Sequence, residues 1–116
     1  MPRAPDRDRE RAAPMVPEDL LRRVVAYFNP RRVILFGSAA RGEAGPENDI
    51  DLLVVLDDDV PLELLSWRSA SEARKGYHGP VDIIPCRDSV LTERAKAIGS
   101  FAHTILEEGA VVYERA

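Results

Sequence analysis

The sequence predicts a small mixed β-sheet of about four strands flanked by helices, an α/β architecture of the α+β kind. Three observations lead there. Four short apolar runs, 33–36, 52–56, 81–84 and 110–113, alternate with segments of helical periodicity. The first two runs are joined by a stretch rich in Gly, Pro and acids, too short and loop-like for a long crossover helix, so that pair is expected to be antiparallel. The 116-residue length allows one folded unit, and the 45 % apolar content is enough to give it a core.

Residues 1–17 hold Pro2, Pro5, Pro14 and Pro17 among charges of alternating sign, and read as a disordered N-terminal tail ahead of a domain spanning 18–116. Pro17-Glu18-Asp19 suits a helix start, because proline fits the first turn and acids face the positive end of the helix dipole. Leu20, Leu21, Val24, Val25 and Phe28 then form one apolar face, and Asn29-Pro30 closes the helix. Val33-Ile34-Leu35-Phe36 reads as a buried strand ending at Gly37-Ser38. Ala39 to Gly42 fits a single helical turn, and 42–48 a loop.

Residues 49–56 form the second strand. Alternation puts Asp49, Asp51, Leu53 and Val55 on one face and Ile50, Leu52, Val54 and Leu56 on the other. A helix over 61–77 is expected next, with Leu62, Leu65 and Ala73 inward and with Trp67 and Tyr77 at least partly buried. Val81-Asp82-Ile83-Ile84 is the third strand, held to an edge or an end by Pro85. Asp88-Ser89 can cap a last helix whose stripe is Leu91, Ala95, Ile98, Ala102 and Ile105, with a kink at Gly99. Gly109 fits its C-terminal cap, and a fourth strand follows.

Composition excludes several function classes. The longest apolar run is five residues, against the roughly 20 that a membrane helix needs. No apolar signal region follows the N-terminal arginines, and a single cysteine, Cys86, supports no internal disulfide, so the expected compartment is the cytoplasm. The net charge of −4 and the lack of a basic stripe argue against nucleic acid as a partner; Arg22-Arg23 and Arg31-Arg32 read as exposed charge. His78 and His103 read as surface or flank histidines, Cys86 as a small apolar residue, and Asp57-Asp58-Asp59 as a solvated strand end.

Chemistry is carried by the remaining acids. Two carboxylates two residues apart on a strand project to the same side, at the start of an otherwise buried run. Leaving them uncompensated is costly, and a hard cation such as magnesium with oxygen ligands is one remedy. Asp82 lies in another apolar strand. If the two strands are neighbours, Asp49, Asp51 and Asp82 converge, and a carboxylate cluster of this type holds paired metal ions in phosphoryl transfer. Gly37 and Ser38 supply the complement: a backbone that a phosphate can approach, free N–H groups and a hydroxyl, with Arg41 within reach of the same phosphates.

The run Leu35-Phe36-Gly37-Ser38-Ala39-Ala40-Arg41-Gly42 and the run Asn48-Asp49-Ile50-Asp51-Leu52-Leu53-Val54, with ten residues between Ser38 and Asp49, resemble the fingerprint of the minimal nucleotidyltransferases of the DNA polymerase β-like superfamily. Asn48 departs from the serine common in that family, and Asp82 fits the place of its third acid. The resemblance covers roughly residues 18–114 and implies the polymerase β-like fold. It also implies ATP or another NTP as substrate, two Mg2+ ions held by Asp49, Asp51 and Asp82, and phosphate contacts from Gly37, Ser38 and Arg41. Asp82 would further act as general base toward an acceptor hydroxyl. A small all-helical HEPN-type protein would be the partner, in a toxin–antitoxin module where a toxin tyrosine receives AMP. The competing expectation is an antitoxin that neutralises its helical partner by contact alone. A chain this short is expected to rely on that partner, or on a second copy of itself, to hold the acceptor.

Overall fold

The computed structural model describes residues 16–37 and 50–116. In chain order it contains helix α1 (Glu18–Phe28), strands β1 (Arg32–Phe36) and β2 (Ile50–Leu56), a 3-10 turn (Leu62–Leu65), helix α2 (Trp67–Ala73), strand β3 (Val81–Arg87), helices α3 (Asp88–Ala95) and α4 (Phe101–Glu108), and strand β4 (Ala110–Glu114). The four strands form one sheet in the order β3-β2-β1-β4. β1 runs antiparallel to β2 and to β4, whereas β2 and β3 are parallel. The sheet is therefore mixed, and the short β1–β2 connection pairs antiparallel strands as expected. Pro85, which has no N–H to donate, sits on the edge strand β3.

Strand alternation divides the interior in two. Val33, Leu35, Leu52, Val54, Leu56, Val81 and Ile83 face one side, where Leu20, Val24 and Phe28 of α1 and Ala73 of α2 cover them. Their spacing of four along α1 makes the buried stripe, and Val16 just ahead of the helix packs against the same core. Ile34, Leu53 and Val55 face the other side under Leu91 of α3 and Ile105 of α4. α1 stops because Asn29 turns left-handed (φ 47°) and returns its N–H to the Val25 carbonyl.

The helical segments depart from expectation in two places. Residues 61–77 do not form one helix: Ser66 is extended (φ −93°, ψ 161°) and its hydroxyl accepts from Ser69 N–H, so a 3-10 turn ends there and α2 begins. Leu62 and Trp67 are consequently exposed (72 % and 76 %), and the Arg68 guanidinium lies over the Trp67 ring. The last helix is likewise two helices. Gly99 adopts φ 89°, Ser100 caps α4 by accepting from His103 N–H, and Ile98 is thrown outward (88 % exposed) instead of extending the stripe. Asp88 and Ser89 do not provide the expected cap on α3. The Ser89 N–H donates instead to Asp58, 31 residues earlier, at 2.9 Å.

At the end of β2, Asp58 and Asp59 are exposed as expected, but Asp57 and Asp58 also act as fasteners. Asp57 accepts from Arg115 (2.9 Å) and Arg31 (3.2 Å), and Asp88 from Arg32 (2.9 Å). Arg115 also donates to the Asn29 carbonyl, closing the end of β4 onto the α1–β1 turn. The hydrogen bond from Arg115 is the main reason the Asp57 carboxyl is held below the ordinary carboxylate range. A depressed folded-state pKa means the pairing stabilises the fold above the unfolded value, near about 4, and is lost as pH falls through the folded value. The expected result is that Asp57→Asn lowers Tm at neutral pH, and that wild type and variant converge once acidification passes the lowered folded-state value. Melting curves across that range check it; a Tm difference that persists at the acid end would remove the ionic explanation.

Candidate functional site

β1 ends at Phe36, and Gly37 follows with φ 79°, a left-handed conformation open to glycine at little cost. Register then determines what lies beside it. Phe36 pairs with Asp51 across the antiparallel β1–β2 ladder, and Asp51 pairs with Asp82 across the parallel β2–β3 ladder. Gly37, Asp51 and Asp82 thus share one end of three adjacent strands. Neighbouring strands are about 4.8 Å apart, so the two aspartates stand side by side. Alternation places both on the face of the second core, in step with Leu53 and Ile84. Asp82 is exposed and Asp51 half-buried.

The glycine and the first aspartate are in intimate contact. A Cβ built on Gly37 would run into Oδ2 of Asp51. Gly37 therefore lies directly against the carboxylate, an approach that only a residue without a side chain permits. Upstream of β3, Arg74 of the segment following α2 donates to three carbonyls, those of Gly79 (2.7 Å), Val81 (3.2 Å) and Tyr77 (3.3 Å). Ile50 N–H reaches the Pro80 carbonyl at 3.2 Å. Arg74 thus braces the turn into the strand that carries Asp82, and the Ile50–Pro80 bond ties that turn to the strand that carries Asp51. Sequence reasoning missed Arg74: its three acceptors lie within seven residues, but backbone carbonyls leave no mark in the sequence that singles out one arginine.

Of the expected site residues, then, the structure brings together Gly37, Asp51 and Asp82. Ser38, Arg41 and Asp49 lie outside the described residues, and no cluster of three metal-ligating side chains is found among the described ones. Two adjacent carboxylates on one face, one of them exposed, form a hard oxygen donor set of the type magnesium takes together with substrate phosphates. His78 is exposed and His103 half-buried. The Cys86 thiol is half-buried on the same face, and desolvation raises its pKa to about 11, so it stays protonated, consistent with an apolar role. Arg31 and Arg32 belong to the ion pairs at the opposite end of the sheet, rather than being simple exposed charge. No helix among the described residues is long and apolar enough to cross a membrane.

Comparison with known proteins agrees with this arrangement. A relative from Methanocaldococcus jannaschii, described as a "Putative protein adenylyltransferase", is 32 % identical over 85 residues, covering 72 % of this chain and 78 % of its own. Two solved structures share the fold. A "toxin-antitoxin with AMP-PNP" has a TM-score of 0.57 and 16 % identity over 86 % of this chain and 75 % of its own. A "putative nucleotidyltransferase" from Sulfolobus solfataricus has a TM-score of 0.55 and 19 % identity over 84 % and 76 %. The family model of the nucleotidyltransferase domain matches residues 18–109, which takes in both aspartates, Gly37 and every strand of the sheet except β4; the chain belongs to that family and is a nucleotidyltransferase.

Proposed function

We propose that the chain is a magnesium-dependent protein adenylyltransferase that moves AMP from ATP to a hydroxyl of a partner protein, a tyrosine of a small all-helical HEPN-type toxin, and so acts as an antitoxin. The observation that carries this reading is the side-by-side placement of Asp51 and Asp82 under the left-handed turn at Gly37. The relative described as a protein adenylyltransferase and the toxin–antitoxin neighbour with AMP-PNP support its direction.

Asp51 and Asp82, with Asp49, would hold the magnesium ions, which supply charge neutralisation around the triphosphate when bound. The chain's own residues have separate tasks. Gly37 lets the backbone lie close to the phosphates, and Ser38 and Arg41 would add a hydroxyl and a guanidinium to the same cradle. Asp82, the exposed member of the pair, takes the proton from the acceptor hydroxyl. That oxygen forms a bond to the α-phosphorus as the bond from the α-phosphorus to the α,β-bridging oxygen breaks, and pyrophosphate leaves. Catalysis is then mainly positioning and electrostatics.

The test is incubation of the full chain with a co-expressed small helical partner, Mg2+ and each of the four NTPs, read by intact mass and by α-phosphate label. The expected product is a partner carrying one or more AMP groups, formed only with the divalent ion present. A double Asp51→Ala, Asp82→Ala chain that still neutralises the partner in full would favour inhibition by contact alone.

A further inference from the structure

On the face that carries the aspartates, α3, α4 and the sheet border an open cavity of about 450 Å3. Its floor is Leu53, Ile84 and Cys86, and its walls include Leu91, Phe101 and Ile105. Leu53 lies two residues beyond Asp51 on β2, and Ile84 two beyond Asp82 on β3. The cavity thus begins one alternation step, about 6.6 Å, from the carboxylates and continues from them along the same face. Phe101 ties the two regions together, because its ring packs edge-on against Phe36 at 5.6 Å and Phe36 is the register partner of Asp51. Among the groups bordering the cavity, the Ser100 hydroxyl already donates to the Arg94 carbonyl and accepts from His103 N–H, and Glu93 pairs with Lys96.

We infer that this cavity houses the nucleobase of the NTP, held by apolar contact. The inference rests on the nucleotidyl-transfer reading of the aspartates. The separation of one alternation step leaves space for the ribose between a phosphate at the carboxylates and a ring over Leu53 and Ile84. The volume falls within the range of about 300–1,000 Å3 usual for small-molecule sites. The lining is mainly aliphatic and aromatic carbon, with Glu93 and Arg94 also bordering it; it favours a flat ring of low charge, as a base is, and rests recognition chiefly on buried area. A purine therefore outbinds a pyrimidine.

The test compares the binding of ATP, CTP and inorganic tripolyphosphate to the full chain with Mg2+. ATP is expected to bind at least about tenfold more tightly than tripolyphosphate and about fivefold more tightly than CTP. Cys86, the only cysteine, reports occupancy without any substitution: ATP slows its alkylation by N-ethylmaleimide and tripolyphosphate does not. Ala97→Trp, at an exposed position bordering the cavity, is expected to weaken ATP about tenfold and leave tripolyphosphate unchanged. Equal affinity of ATP and tripolyphosphate, with Cys86 labelled at the same rate in both, overturns the base site. If tripolyphosphate binding is then still lost in Asp51→Asn, the reading of the aspartates survives. If neither ligand binds the wild-type chain, both readings fall together.

Discussion

Replacing Asp82 by asparagine is expected to reduce nucleotidyl transfer at least about a thousandfold while leaving the fold intact. The magnitude follows from charge. Asparagine keeps the shape of the side chain but can neither hold a divalent ion as a carboxylate does nor accept the acceptor's proton, and each function is worth several kcal/mol of barrier. The stability side follows from the position. Asp82 is exposed at the start of an edge strand and stands next to another carboxylate, so removing its charge relieves a repulsion and breaks no packing. The Tm of Asp82→Asn should therefore be no lower than that of the wild type. Label transfer from α-labelled ATP, measured beside a melting curve, checks both halves. Transfer within tenfold of wild type would take Asp82 out of the reacting site. A normal rate loss accompanied by a large Tm fall would assign the residue to folding.

Gly37→Ala is expected to damage the protein in two separable ways. Forcing a side chain into a left-handed conformation costs about 1–2 kcal/mol, and each kcal/mol lowers Tm by about 4–8 °C in a domain of this size. The new Cβ must also displace the Asp51 carboxylate it would otherwise overlap. A misplacement of about 1 Å near reacting atoms can reduce the rate about a hundredfold. Gly37→Asn separates the two effects, because asparagine tolerates positive φ better than other residues with side chains yet carries the same Cβ. It should recover part of the Tm and none of the activity. An active Gly37→Asn chain would show that the contact between the turn and Asp51 has no bearing on catalysis.

The residues that locate the site are close in sequence to glycine and to strand alternation, which is why much of it was legible. Asp51 shares a face with Leu53 and Val55 because a strand has a period of two, and that requires no tertiary information. Gly37 ends an apolar run and needs a conformation other residues resist. The antiparallel β1–β2 pair follows from the short segment between them, and the edge position of β3 from Pro85. Helix continuity was much less legible. A period-3.6 pattern runs through Ser66 unmarked and through Gly99 with only a kink indicated, and whether such a point bends or breaks depends on competing caps. Ser66 and Ser100 each capture the N–H three residues on, and the two expected long helices become shorter pieces. Ile98 was expected on the stripe for the same reason, and Trp67 at least partly buried as an aromatic; both lie beside these breaks and are exposed.

What the sequence by itself determined about this protein is local: the strands, the faces their residues occupy, the glycine that ends the first strand and allows a close approach, and the family to which those motifs belong. Only the tertiary structure decided that Asp82 stands opposite Asp51 and that a cavity opens beyond the carboxylates. The physical reason is separation along the chain. Periodicity and backbone preference act over a few residues and can be read directly, whereas the register of two parallel strands is set by how the intervening turn and helix pack on the sheet, a property of the whole core.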